Sequence, residues 1–156
     1  MTQVKLDMSG FKTIEKALSD NYKVRVGILG SSASSNHKNS NLTNAEIGAK
    51  HEFGSVSENI PRRSFLKYPL DLKMGEWISK NKSLYYRLLT EGSTRKFYVA
   101  MGFAAENIID EAFNSSGFGT WAANSPRTIA LKGSAMPLID TGQLKNSITS
   151  KVMTND

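Results

Sequence analysis

Apolar and polar residues alternate at both ends of this chain and recur at helical spacing between them. Val4, Leu6 and Met8 alternate with Lys5 and Asp7, the period of two that marks a half-buried strand. Phe11, Ile14, Ala17 and Leu18 then fall at helical spacing, and Asp20 and Asn21 close that segment with turn formers. Tyr22, Val24, Val26 and Ile28 alternate with Lys23 and Arg25, which predicts a strand whose apolar face needs a helix to cover it. Near the other end Ile148, Ser150 and Val152 alternate with Thr149 and Lys151, a last strand available to pair with either of the first two.

Helices fill the middle. Thr43 and Glu46 have the spacing of a capping box, and predict a helix from Asn44 towards Phe53 with Gly54 as its left-handed terminator. Pro61 suits a first helical position. The stretch from Arg62 to Leu89 carries Phe65, Leu66, Leu70, Met74, Trp77, Ile78, Leu84 and Leu88, with Pro69 and Gly75 predicting a kink or break. Phe97, Met101, Ala104, Ala105, Ile108 and Ala112 share one arc of a long core helix, with Glu106 and Asp110 opposite, ending near residues 114–117. Ser125 before Pro126 predicts another short helix, closed by Gly133. The expected fold is α+β: a small, mainly antiparallel sheet packed against several helices.

Residues 30–42, almost all small and polar, bury too little apolar area to offset the entropy of ordering, and predict a long mobile loop. The 156 residues fit one domain, 1–156, with that loop as an excursion. Hydrophobic residues make up 39% and charged residues 22%, enough to fold with modest stability as a monomer.

The chain contains no cysteine, which excludes disulfides, thiolate metal sites and a cysteine nucleophile. No apolar run approaches the roughly 18 residues of a membrane span, and the alternating pattern of residues 1–10 is unlike a signal peptide. A cytoplasm-like compartment is expected, with no membrane partner. Net charge is +6, and all of the excess lies in residues 1–90, which hold 14 Lys and Arg against 8 Asp and Glu. A basic surface suits nucleic acid or an acidic protein.

Several strings carry possible chemistry. Leu138-Ile139-Asp140-Thr141-Gly142 matches the start of a retroviral-type aspartic protease motif. That chemistry needs two carboxylates sharing a proton and a substantial fold after the Asp, whereas 16 residues follow Asp140 and Gln143 stands where a small residue is expected. Asp140 reads better as a turn cap. His37 and His51 are the two histidines; His51-Glu52 lacks a second histidine four residues on, and His37 reads as a solvated side chain. No cofactor motif is present. Arg62-Arg63 suits a phosphate or carboxylate, or a solvated helix start, and Trp77 and Trp121 suit core or interface anchors.

Three segments in order resemble one family. They are Val26-Gly27-Ile28; Ala45 to Gly54 (AEIGAKHEFG) leading into Ile60 to Leu66 (IPRRSFL); and Trp121 with Ser125 to Lys132 and Pro137 to Ile148 (PLIDTGQLKNSI). Together they resemble the phage virion-morphogenesis family of tail-completion proteins. The resemblance implies a non-enzymatic structural protein of a tailed phage virion, assembled in the host cytoplasm. It implies a homo-oligomeric ring in the neck, with a hexamer favoured, between the head connector or adaptor and the tail terminator or tail tube, and DNA passing through its lumen. On this reading His51, Glu52, Phe53, Arg62, Arg63, Phe65 and Trp121, flanked by loops and without an evident core role, supply inter-subunit contacts. The Ser31–Asn41 loop and the stretch around Pro69 and Gly75 lie outside the resemblance. The alternatives are a small basic DNA-binding module and, behind it, an aspartic-protease-like enzyme.

Overall fold

In the computed structural model, residues 8–38 and 40–154 are described. Their elements run α1 (Ser9–Ser19), β1 (Tyr22–Ile28), α2 (Ser31–Ser34), α3 (Asn44–Phe53), α4 (Lys67–Lys80), α5 (Lys82–Thr90), α6 (Arg95–Asn114), α7 (Pro126–Lys132), α8 (Gln143–Asn146) and β2 (Ile148–Thr154). The expected strand over Val4, Leu6 and Met8 lies outside the described residues except for Met8, which sits at the start of α1. The fold is α+β. Strands β1 and β2 pair antiparallel from Tyr22 opposite Thr154 to Ile28 opposite Ile148, joining the two ends of the described chain.

A two-stranded ribbon alone is marginal in water, and α6 stabilises this one by lying across both strands. Its small residues permit the approach: a Cβ on Gly102 would stand 2.5 Å from Ser150 Oγ. Glu106, expected on the polar side, instead accepts the Ser150 N–H. Buried residues of α6 recur at Phe97, Ala104, Ala105, Ile108, Ile109, Ala112 and Phe113, the three-and-four spacing of a core stripe. Around its C-terminal half lies the core of Phe65, Ile109, Ala112, Phe113, Trp121 and Leu144. The Phe113 ring sits 5.5 Å from both Phe65 and Trp121, edge-on to the indole at 85°.

The middle of the chain departs from its expected reading. Pro61 starts no helix; residues 61–64 are irregular and α4 begins at Lys67. Pro69 is the third residue of α4, where its missing N–H would have had no helical partner, so it introduces no kink. Gly75 lies inside α4 with nothing near its Cα side, and the break falls at Asn81, whose side-chain amide donates to the Trp77 carbonyl at 2.8 Å. Lys73 bonds Glu111 at 2.6 Å and stands over the Phe118 ring, tying α4 to the end of α6.

The polar loop carries local structure of its own. Residues 31–34 form the helical turn α2, and Asn36 bridges Thr43. Two side chains from elsewhere hold this segment. Buried Asn44 donates to the Ser32 carbonyl and meets His37 Nδ1 at 2.8 Å, while Gln143 accepts the Lys38 N–H at 2.8 Å and donates to the Asn36 carbonyl at 2.9 Å. His37 is therefore half-buried and bonded rather than a freely solvated side chain. Composition alone missed the two Gln143 bonds because they cross more than 100 residues of sequence.

Candidate functional site

Helix α3 organises the site. Its capping box is complete, with Thr43 Oγ1 accepting the Glu46 N–H and the Glu46 carboxylate accepting the Thr43 N–H, which also holds the Glu46 carboxyl below its ordinary range. Its last turn carries His51, Glu52 and Phe53, and the 100° step between successive helical residues sends them three ways. Glu52 points into the protein, His51 towards a cleft, and Phe53 is 74% exposed.

Buried Glu52 receives the Ser64 hydroxyl at 2.6 Å and the backbone N–H groups of Phe65, Leu66 and Lys67 at 2.8, 2.9 and 3.1 Å. Those amides lead into α4, so the carboxylate acts as that helix's cap from 13 to 15 residues away. Arg63 runs the other way. Its Nε donates to the Ala122 carbonyl at 2.8 Å and its Nη2 to the Ala123 carbonyl at 3.0 Å, while the Trp121 indole N–H donates to the Ser64 carbonyl at 3.2 Å. The Arg63 N–H donates in turn to the His51 carbonyl at 2.8 Å. The IPRRSFL segment is thereby laced to α3 on one side and to residues 121–124 on the other.

Beside this knot opens a cleft of about 800 Å³. Helix α3 contributes Ile47 and His51, the turn between Ser55 and Ile60 contributes Val56 and Ile60, and α7 contributes Thr128 and Lys132. His37, Arg63, Leu138 and Asp140 also line it, and among the described residues Asp140 is the one acid on its walls. Burial pushes the His51 imidazole down to about 4, and the charges of Arg63, His37 and Lys132 push in the same direction. Burial likewise lowers the Lys132 ammonium, opposed by Asp140 and reinforced by Arg63. His51 Nδ1 is buried without a hydrogen-bond partner, and among the described residues neither Arg63 nor Lys132 forms an ion pair.

This geometry revises the proposed contact residues. Glu52, Arg63, Phe65 and Trp121 are buried within the chain and have evident core roles, which removes the reason for assigning them to a subunit interface. His51 is half-buried at the cleft. Phe53 and Arg62 remain exposed, and Arg62 Nε donates to the Glu52 carbonyl at 3.2 Å. Arg63 holds backbone carbonyls with the fork expected to hold a phosphate or carboxylate. In the LIDTGQ string no hydrogen bond from Asp140 occurs among the described residues; Thr141 Oγ1 accepts the Gln143 N–H instead, and Gly142 takes a positive φ of 77° before α8. Lys132 was missed as a site residue because only the fold brings α7 beside α3. Among the described residues no cluster of three potential metal ligands occurs, and no helix is long and apolar enough to cross a membrane.

Comparison with family models, with curated proteins and with solved structures finds no match to this chain.

Proposed function

We propose that the chain is a structural component of a tailed-phage neck, a tail-completion protein that acts by forming a ring, with a hexamer favoured, at the head-tail junction. The observation that carries this reading is the convergence of the three segments that resemble that family. Ile28, Gly48, Phe65 and Leu144 meet where a Cβ on Gly48 would touch all three neighbours, and Ser64 meets Trp121 across 57 residues. The residues that carry the resemblance are the ones that hold one another, as expected if shape is what the sequence preserves. Phe53 and Val56 add exposed apolar surface beside this knot, and Leu131 adds more on α7.

A small domain with a modest core is stabilised further by burying such surface against copies of itself, and a head-to-tail contact that closes on rotation makes a ring. In this reading the ring meets the head connector or adaptor on one face and the tail terminator or tail tube on the other. DNA slides through its lumen without sequence-specific binding.

A cryo-electron microscopy map of a phage particle containing this chain tests the assignment. Density for a ring of this fold in the neck is expected; particles whose neck lacks the chain would overturn it.

A further inference from the structure

Apart from Val56 and Leu144, the cleft beside α3 is built from residues that the ring reading does not use. Its cationic side comes from Arg63 and Lys132, and among the described residues Asp140 is the one acid facing them. Its apolar side comes from Val56 and Ile60 of the 55–60 turn and from Leu138. Val56 is fully exposed, although it lies at the cleft's rim where a ligand would cover it.

We propose that this cleft binds an extended, acidic peptide segment of a partner protein, whose carboxylates meet Lys132 in the field of the Arg63 charge while its alternate apolar side chains meet Val56, Ile60 and Leu138. An extended chain sends successive side chains to opposite sides, so an alternating acidic and apolar sequence presents one chemistry to each side of the cleft. Charge complementarity selects the acidic partner, since Arg63 and Lys132 lack any ion pair among the described residues. A phosphate backbone fits less well: the first turn of α7 is capped by Ser125 Oγ on the Thr128 N–H. The inference goes beyond the ring and stands for a monomer as well.

Fluorescence polarisation with the full chain and a labelled decapeptide of alternating Asp and Leu tests it, with a Lys and Leu decapeptide as control. Saturable binding of the acidic peptide is expected, absent for the basic one and weakened at high salt. Lys132→Gln and Val56→Ser are each expected to weaken it by about fivefold or more, with amide NMR spectra showing that both variants stay folded. Failure of the acidic peptide to bind, equal binding by the basic peptide, or undiminished binding by both folded variants overturns the proposal. Displacement of the bound peptide by millimolar inorganic phosphate or by a DNA duplex also overturns it, in favour of a phosphate site. Because the assay reads binding and not assembly, its failure leaves the ring reading standing, and the reverse holds too.

Discussion

The Ser64 hydroxyl donates to the Glu52 carboxylate at 2.6 Å while its oxygen accepts the Tyr68 N–H at 3.0 Å, so two side chains from different segments jointly cap α4. This pair explains how a helix can start at Lys67 without a local capping residue: its N-cap, Leu66, offers no side-chain acceptor.

Replacing Glu52 by Gln removes the charge and turns an NH₂ group towards amide donors. Glu52→Gln is expected to destabilise the fold by about 2–4 kcal/mol, read as a lower urea midpoint with an unchanged slope. A midpoint equal to that of the wild type would mean that the carboxylate is no cap.

Stability should depend on the pH range set by His51. The ordinary imidazole value of 6.5 falls to about 4 in the fold, so between these limits the unfolded chain binds more protons than the folded one. Stability contributed by neutral His51 is therefore full above about 6.5 and is lost as pH falls towards about 4. The loss is at most about 1.4 kcal/mol per pH unit. The groups facing His51 are the cations Arg63, His37 and Lys132, which reinforce this direction, with Asp140 also on the cleft. Urea titrations at several pH values check it; His51→Gln should flatten the dependence in that window.

Two glycines should respond in opposite ways to alanine. Gly75 is inside α4 with open space around it, so Gly75→Ala should stabilise by about 0.5–1 kcal/mol. Gly117 takes a φ of 68° and its added Cβ would fall 2.2 Å from Trp121 Nε1, so Gly117→Ala should destabilise by about 3 kcal/mol or more. Thermal melts of both variants provide the comparison.

Gln143 should be the clasp of the 36–38 segment. Gln143→Ala removes both of its bonds, to the Asn36 carbonyl and from the Lys38 N–H, and should speed hydrogen exchange at Lys38 by about tenfold, leaving exchange in α6 unchanged.

What was legible in the sequence was whatever is encoded within a few residues. The Thr43 and Glu46 capping box, the Ser125-Pro126 start with Gly133 as its end, the stripe of α6 and the alternation of β1 and β2 all rest on local spacing, and all appear. Residues 61–66 were misread because Pro61 is a plausible helix start locally. What keeps this segment out of a helix is the pull of Glu52, His51 and residues 121–123 on its polar groups. The same distance effect hid the Gln143 anchor of the 30–42 loop. It also hid the cleft, whose basic residues lie on segments separated by up to about 95 positions, from His37 to Lys132. An aromatic or Arg residue beside a loop suits a contact with a neighbouring subunit, whereas Trp121 and Arg63 are contacts for another part of the same chain.

The surface left for assembly is therefore the exposed apolar one. Phe53→Ser should leave the unfolding midpoint nearly unchanged, since the ring is 74% exposed, while weakening self-association by about tenfold or more.

The central claim is that this chain acts by closing on copies of itself. Sedimentation equilibrium of the full chain, from low micromolar to millimolar concentration, tests that most directly. The account predicts a discrete closed oligomer, a hexamer favoured, that dissociates more readily in Phe53→Ser; a folded monomer at every concentration would contradict it.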